Sequence, residues 1–156
     1  MSKSLKRVKA ALVAAGVNDD VMQMPNETRT AEAAAREAGC EVDQIAKSIV
    51  FRGEKSGEAV LFITAGGNRV DGTRAAELAG EPLGRADANF VRASTGFAIG
   101  GVAPIGHVNP SRVFFDKRLL DFDLVYAAAG TPQHIFPISP DKLRQISNAQ
   151  DADFVE

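Results

Sequence analysis

Leu5, Val8, Leu12 and Ala15 recur at helical spacing at the start of the chain, with Lys3, Lys6, Arg7 and Lys9 on other faces and Gly16 where a C-terminal cap belongs. An amphipathic first helix is predicted. Val21–Met24 reads as a short strand ended by Pro25-Asn26. Thr30 then has the chemistry of an N-cap for an alanine-rich helix running to Gly39, and Val42 and Ile45 add one more helical turn. The periodicity next changes from helical to extended. Lys47–Arg52 and the apolar run Ala59–Ile63 flank Gly53-Glu54-Lys55-Ser56-Gly57, which predicts an antiparallel hairpin whose second strand is covered on both faces.

Gly72–Ala79 and Asp87–Ala93 read as two short helices on either side of Gly80–Gly84, with Asp87 as an N-cap. Val113–Phe115 and Leu124–Ala128 are strands around an Asp116–Phe122 turn, and Gly130-Thr131-Pro132 breaks the chain before a last strand at Gln133–Phe136. Ser139-Pro140-Asp141 combines an N-cap, a proline at the first helical position and an acidic first turn, so a closing helix is predicted through Leu143 and Ile146. The acidic tail after Gln150 is expected to fray. Interspersed helices and strands, joined partly by hairpin-length loops, predict an α+β chain with a mixed sheet.

A length of 156 residues suits a single domain spanning residues 1–156, with a core large enough to need no disulfide or metal. The formal charge of -2 argues against a protein that coats nucleic acid, so any such contact must be local. The four positive charges of the first helix fit a solvated face or a patch for a tRNA backbone. Cys40 is the only cysteine, which excludes an internal disulfide and fits a reducing cytoplasm. The apolar residues of Met1–Gly16 are too interrupted for a signal peptide or membrane span. A soluble, cytoplasmic protein is expected.

One segment suits neither a helix nor a regular strand. Ser94–His107 places four glycines and Pro104 among apolar residues, with Gly100-Gly101 ahead of the proline. It reads either as a pre-shaped row of amides that holds a small polar ligand, or as a tight connection between sheet elements. It lacks the Gly-Lys-Ser/Thr of a Walker loop. Lys47, heading an apolar strand, can set an ammonium at the lip of a cavity or simply reach solvent along its stem. Other chemistry is sparse. No serine lies in a Gly-x-Ser-x-Gly elbow, His107 and His134 belong to no zinc-binding spacing, and Asp71, Asp116, Asp121 and Asp123 sit where aspartates cap backbone groups.

Three ordered segments carry a resemblance: Gln44–Phe51, Gly66-Gly67-Asn68-Arg69-Val70-Asp71, and Thr95–Gly106. Together they resemble the YbaK/EbsC family of aminoacyl-tRNA deacylases, relatives of the editing insertion domain of bacterial prolyl-tRNA synthetase. The resemblance implies a mixed, strongly curved, barrel-like β-sheet with surrounding helices, and hydrolysis of the ester at the terminal adenosine of a mischarged tRNA without metal or cofactor. It places the family's lysine at Lys47, holding the terminal nucleotide. It places the family's Gly-x-x-x-Pro loop at Gly100–Pro104, with the Gly100 and Gly101 amides facing the developing oxyanion and the loop backbone holding the substrate carbonyl and the adenosine 2′-hydroxyl. Thr30, Ser48, Pro104, Gly130 and His134 fall where the family lines its substrate pocket. The implied partners are a tRNA acceptor end and a synthetase.

Ala128–His134 lacks the Ser-Gly-Gly-Lys-Arg type of sequence of the cysteinyl-specific members, so cysteine is not the expected amino acid; alanine, serine, threonine or a non-protein amino acid are the candidates. Two other readings share the same residues. The loop and lysine could capture an amino acid, nucleotide or acceptor end without hydrolysing it, or the first helix could dock on a synthetase or tRNA.

Overall fold

The computed structural model describes residues Met1–Glu156. Helix α1 (Lys3–Ala14) leads to strand β1 (Met22–Gln23), α2 (Ala31–Ala38), and the hairpin strands β2 (Ala46–Gly53) and β3 (Ala59–Ala65). Next come α3 (Gly72–Ala79), β4 (Leu83–Arg85), α4 (Ala88–Thr95), β5 (Arg112–Asp116) and a second hairpin, β6 (Val125–Thr131) with β7 (His134–Ile138). Helix α5 (Pro140–Ile146) and β8 (Gln150–Ala152) close the chain.

Local capping explains the helix boundaries. The Thr30 hydroxyl accepts from the Ala33 amide at 3.1 Å, Asp87 from Phe90 at 2.8 Å and Ser139 from Lys142 at 3.2 Å. Each satisfies an N–H that the first helical turn leaves unpaired. Asp71 caps α3, and Asp116 accepts from Arg118 at the head of the 3-10 helix Lys117–Asp121. Their reading as caps holds. Asp116 also receives the Ala65 amide and the Asn68 side chain, which ties β3 to β5.

The strands form a five-stranded sheet in the order β4-β2-β3-β5-β8 and a three-stranded sheet in the order β1-β7-β6. The mixed α+β character stands, but there are two sheets rather than one, and no barrel closes between them. They are bridged at one corner, where Ile45 pairs with Tyr126. β2–β3 is antiparallel, whereas β3–β5 and β5–β8 are parallel.

Every residue of β3 is buried, because both faces of its sheet are covered. Leu61 and Ile63 face the larger core with α1, Phe97 and the smaller sheet, while Val60 and Phe62 face a second core with α3 and Phe154. The tail does not fray. β8 pairs with β5, Val155 bridges to Val70, and Phe154 is fully buried with its ring 4.9 Å from that of Phe62. Burying a phenylalanine contributes roughly 1.5–3 kcal/mol, enough to fix an end that carries exposed charge. The expected break at Gly130-Thr131-Pro132 also shifts, since β6 continues through Thr131 with a bulge and the turn is Pro132-Gln133.

Candidate active site

A strand edge left open builds the site. β3 pairs with β2 from Ala46 to Arg52, but β4 reaches only Phe51–Gly53, so the far side of Ala46–Val50 has no partner. β6 is likewise the edge strand of the smaller sheet. The two open edges touch at Ile45 and Tyr126 and part beyond that point, leaving a cavity of about 500 Å³. That volume lies within the range of small-molecule sites, roughly 300–1,000 Å³. α2 contributes Ala31, Glu32 and Ala34 to the wall and its N-cap contributes Thr30, α4 contributes Val91, and the glycine-rich loop contributes Ile99, Gly100 and Val102.

Strand alternation sorts the β2 side chains. Ala46, Ser48 and Val50 share the face of the larger core with Ile63 and Leu61, and Lys47 and Ile49 share the opposite face with Thr64 and Phe62. Lys47 is half-buried, and its Nζ donates to the Gly66 carbonyl at 3.1 Å. Desolvation pulls its pKa below the ordinary lysine value, opposed by the carboxylates of Glu32, Asp116 and Asp43 and reinforced by Arg69. The Ser48 hydroxyl is shielded and has no hydrogen-bond partner, the single buried side-chain polar atom in that condition. Such an atom costs roughly 1–3 kcal/mol in the absence of a partner.

Gly100, at φ 93°, shapes a turn in which the Gly101 amide donates to Ala98 at 3.0 Å. Arg29 holds the turn through the Ile99 carbonyl at 3.1 Å and is itself paired with Glu27 at 2.8 Å. His107 donates from Nε2 to the Ala103 carbonyl at 2.6 Å, and burial pushes its pKa down, so it is a neutral brace within the loop. Arg7 does not lie on a solvated face. It donates to the Gly106 and Gly96 carbonyls, both at 3.0 Å, and stacks over Phe97.

The cavity brings together Thr30, Lys47, Ser48 and Gly100. It does not bring in the other expected residues. The Gly101 amide is committed to Ala98, and its Cα packs on the Thr131–Pro132 backbone, so Gly101 is a packing glycine. Pro104 is buried behind the loop. Gly130 lies under α1, where the Ser4 hydroxyl donates to its carbonyl at 2.7 Å. His134 shares a hydrogen bond with the Thr131 hydroxyl at 2.6 Å and faces a separate depression beside Ser2 and Gln23. The sequence reading missed Arg29, Glu32 and Tyr126. An arginine in a polar turn and a glutamate in a first helical turn are ordinary there, so neither stood out.

No group of three His, Cys, Asp or Glu side chains gathers as a metal site would require. Cys40 has its thiol pKa raised by burial and then by Glu41, which disfavours a thiolate. The cavity therefore offers a cation, an apolar floor and the Gly100 amide, which donates to no group in the protein, and the unpartnered Ser48 hydroxyl lies shielded in its wall.

A model of the aminoacyl-tRNA editing domain matches residues 25–146. The uncharacterized protein YwhH of Bacillus subtilis strain 168 is 31% identical over 144 residues, covering 92% of this chain and 91% of that protein. Among solved structures, one described as a candidate trans-editing enzyme for prolyl-tRNA synthetase is 46% identical, with a TM-score of 0.92 over 100% of this chain and 99% of that one. A hypothetical protein of known structure is 29% identical, with a TM-score of 0.88 over 96% of this chain and 99% of that one. No helix is long and apolar enough to cross a membrane.

Proposed function

The chain belongs to the aminoacyl-tRNA editing domain family, a trans-acting deacylase of mischarged tRNA, and we propose that it serves prolyl-tRNA synthetase in the cytoplasm by clearing tRNA of a wrongly attached amino acid. The observation that carries the site assignment is the convergence of Lys47, Ser48 and the free Gly100 amide on one cavity. In this reading the aminoacylated 3′ end enters between the two sheets. Lys47 holds the phosphate or ribose of the terminal adenosine, and Thr30 and Ser48 line the aminoacyl pocket.

A water adds to the ester carbonyl carbon, the carbonyl electrons move onto oxygen, and the Gly100 amide donates to the resulting oxyanion. Collapse of this intermediate breaks the bond to the ribose oxygen, which leaves with a proton and frees the amino acid. Positioning and backbone stabilisation can supply much of such a rate. Gly101, Pro104, Gly130 and His134 act here by shaping the loop and the elements behind it.

The test is a deacylation screen over tRNAs charged with different amino acids, comparing wild type with Lys47→Ala. Turnover of at least one mischarged tRNA is expected, with kcat/KM lowered about 10- to 100-fold in the variant, as for loss of a charge-assisted contact. Tight binding of acceptor ends with no turnover by the folded wild type would make the protein a binding module. An unchanged rate in Lys47→Ala would remove that residue from the site.

A further inference from the structure

One carboxylate in the cavity has no role in the reaction outlined above. Glu32 lies in the first turn of α2 and contributes to the cavity wall beside Thr30 and Ala34. It is the only acidic residue on that wall. Its carboxylate accepts no hydrogen bond and makes no ion pair, whereas the neighbouring acids are all engaged: Glu27 with Arg29, Asp43 with Gly67 and Arg118, and Asp116 with Ala65 and Asn68. Glu32 and Lys47 are close enough for their charges to interact, yet they form no salt bridge, and the Lys47 ammonium is turned to the Gly66 carbonyl. The cavity thus presents a cation and a separate, unpaired anion.

An aminoacyl ester at a tRNA 3′ end has the complementary pattern. Its nucleotide side is anionic, and its α-amino group, with an ordinary pKa of about 7.7–8.0, is largely cationic at neutral pH. That ammonium is one carbon from the ester carbonyl. We propose that Glu32 receives the α-ammonium group of the aminoacyl ester, so that the protein selects acyl-tRNAs carrying a free amine and sets the carbonyl against the Gly100 amide. This proposal rests on the deacylase reading and adds a demand on the substrate that is independent of the amino-acid side chain.

The experiment uses the aminoacyl-tRNA that wild type cleaves fastest in the screen above. The same tRNA after nitrous acid deamination, which replaces the amine with a hydroxyl, is the second substrate. Wild type is expected to prefer the amino form by about 10- to 100-fold in kcat/KM, the scale of a hydrogen bond to a charged group. Glu32→Gln is expected to abolish the preference by slowing only the amino form, with hydroxyacyl cleavage within about twofold of wild type.

A Glu32 that merely complements the α2 dipole would give a variant that slows neither form, and one needed for folding would slow both alike. Either result overturns the proposal, as does a wild type indifferent to deamination. If wild type cleaves no aminoacyl-tRNA, the deacylase reading fails and this proposal falls with it. Cleavage without amine preference would overturn this proposal alone.

Discussion

Gly101→Ala is expected to damage the site through packing. A Cβ at this position would lie 2.8 Å from the Thr131 carbonyl carbon, 2.9 Å from Thr131 Cα and 3.1 Å from the Pro132 nitrogen. The shortest of these is about 0.6 Å inside the 3.4 Å at which ordinary contact begins. All three atoms are backbone, so no side chain can swing aside. The Pro132 carbonyl is also held by the Thr28 amide at 2.6 Å and the Thr28 hydroxyl at 2.9 Å, so the turn resists retreat. The loop must therefore move, carrying Gly100 with it.

Forcing a methyl into such packing costs about 1–3 kcal/mol. In a domain of this size each kcal/mol lowers Tm by roughly 2–4 °C. A displacement of about half an ångström at Gly100 should lower kcat by about tenfold, since 1 Å can cost ~10²-fold. Thermal unfolding and single-turnover deacylation are measured beside Gly72→Ala, where a Cβ meets nothing within 4 Å. A Gly101→Ala protein with the Tm and rate of that control would refute the packing argument.

Three further outcomes follow from other parts of the structure. Ser48→Ala removes an unpartnered buried hydroxyl, so it should raise stability by about 1 kcal/mol while lowering turnover of the true substrate; paired chemical denaturation and kinetics check both. Arg7→Ala deprives the Gly96 and Gly106 carbonyls of their donor and should cost about 2–4 kcal/mol in urea unfolding, whereas exposed Lys6→Ala should stay within about 0.5 kcal/mol. Hydrogen bonds from the Ser56 backbone, then the Ser56 side chain, Arg112 and the Lys55 backbone outweigh burial and hold the Glu81 carboxyl at about 2, below its ordinary 4.5. The stabilisation it confers is complete above about pH 5 and is lost as pH falls from there towards 2, a loss that acid titration of unfolding should show and Glu81→Gln should lack.

The extent to which the chain could be read in advance followed the range of the interactions. The α2 boundaries, Thr30 to Gly39, and the start of α5 at Ser139-Pro140 were legible because a cap and the amide it satisfies lie within a few residues. The β2–β3 hairpin and the buried character of β3 were legible because an apolar run beside a glycine-bounded turn has few other solutions. β4 and β8 were not. Each has three residues, and each is a strand only because a distant edge, β2 or β5, offers hydrogen bonds.

The same division runs through the site. Lys47 and Gly100 carried signals of their own, a cation heading an apolar strand and a glycine in a loop that needs positive φ. Gly101 carried the same letter for another reason, close approach to Thr131, and Gly130 for both reasons, a φ of 97° and close approach to Ser4, which no local pattern distinguishes. By itself the sequence determined the helices, their caps, the central hairpin and the kind of chemistry available. Tertiary structure alone decided that β2 and β6 part beyond Ile45 and Tyr126, that Ser48 is left without a partner and that Glu32 shares a cavity with Lys47. Caps and turns are satisfied within a few residues, whereas an open strand edge exists only once both sheets have formed and failed to meet.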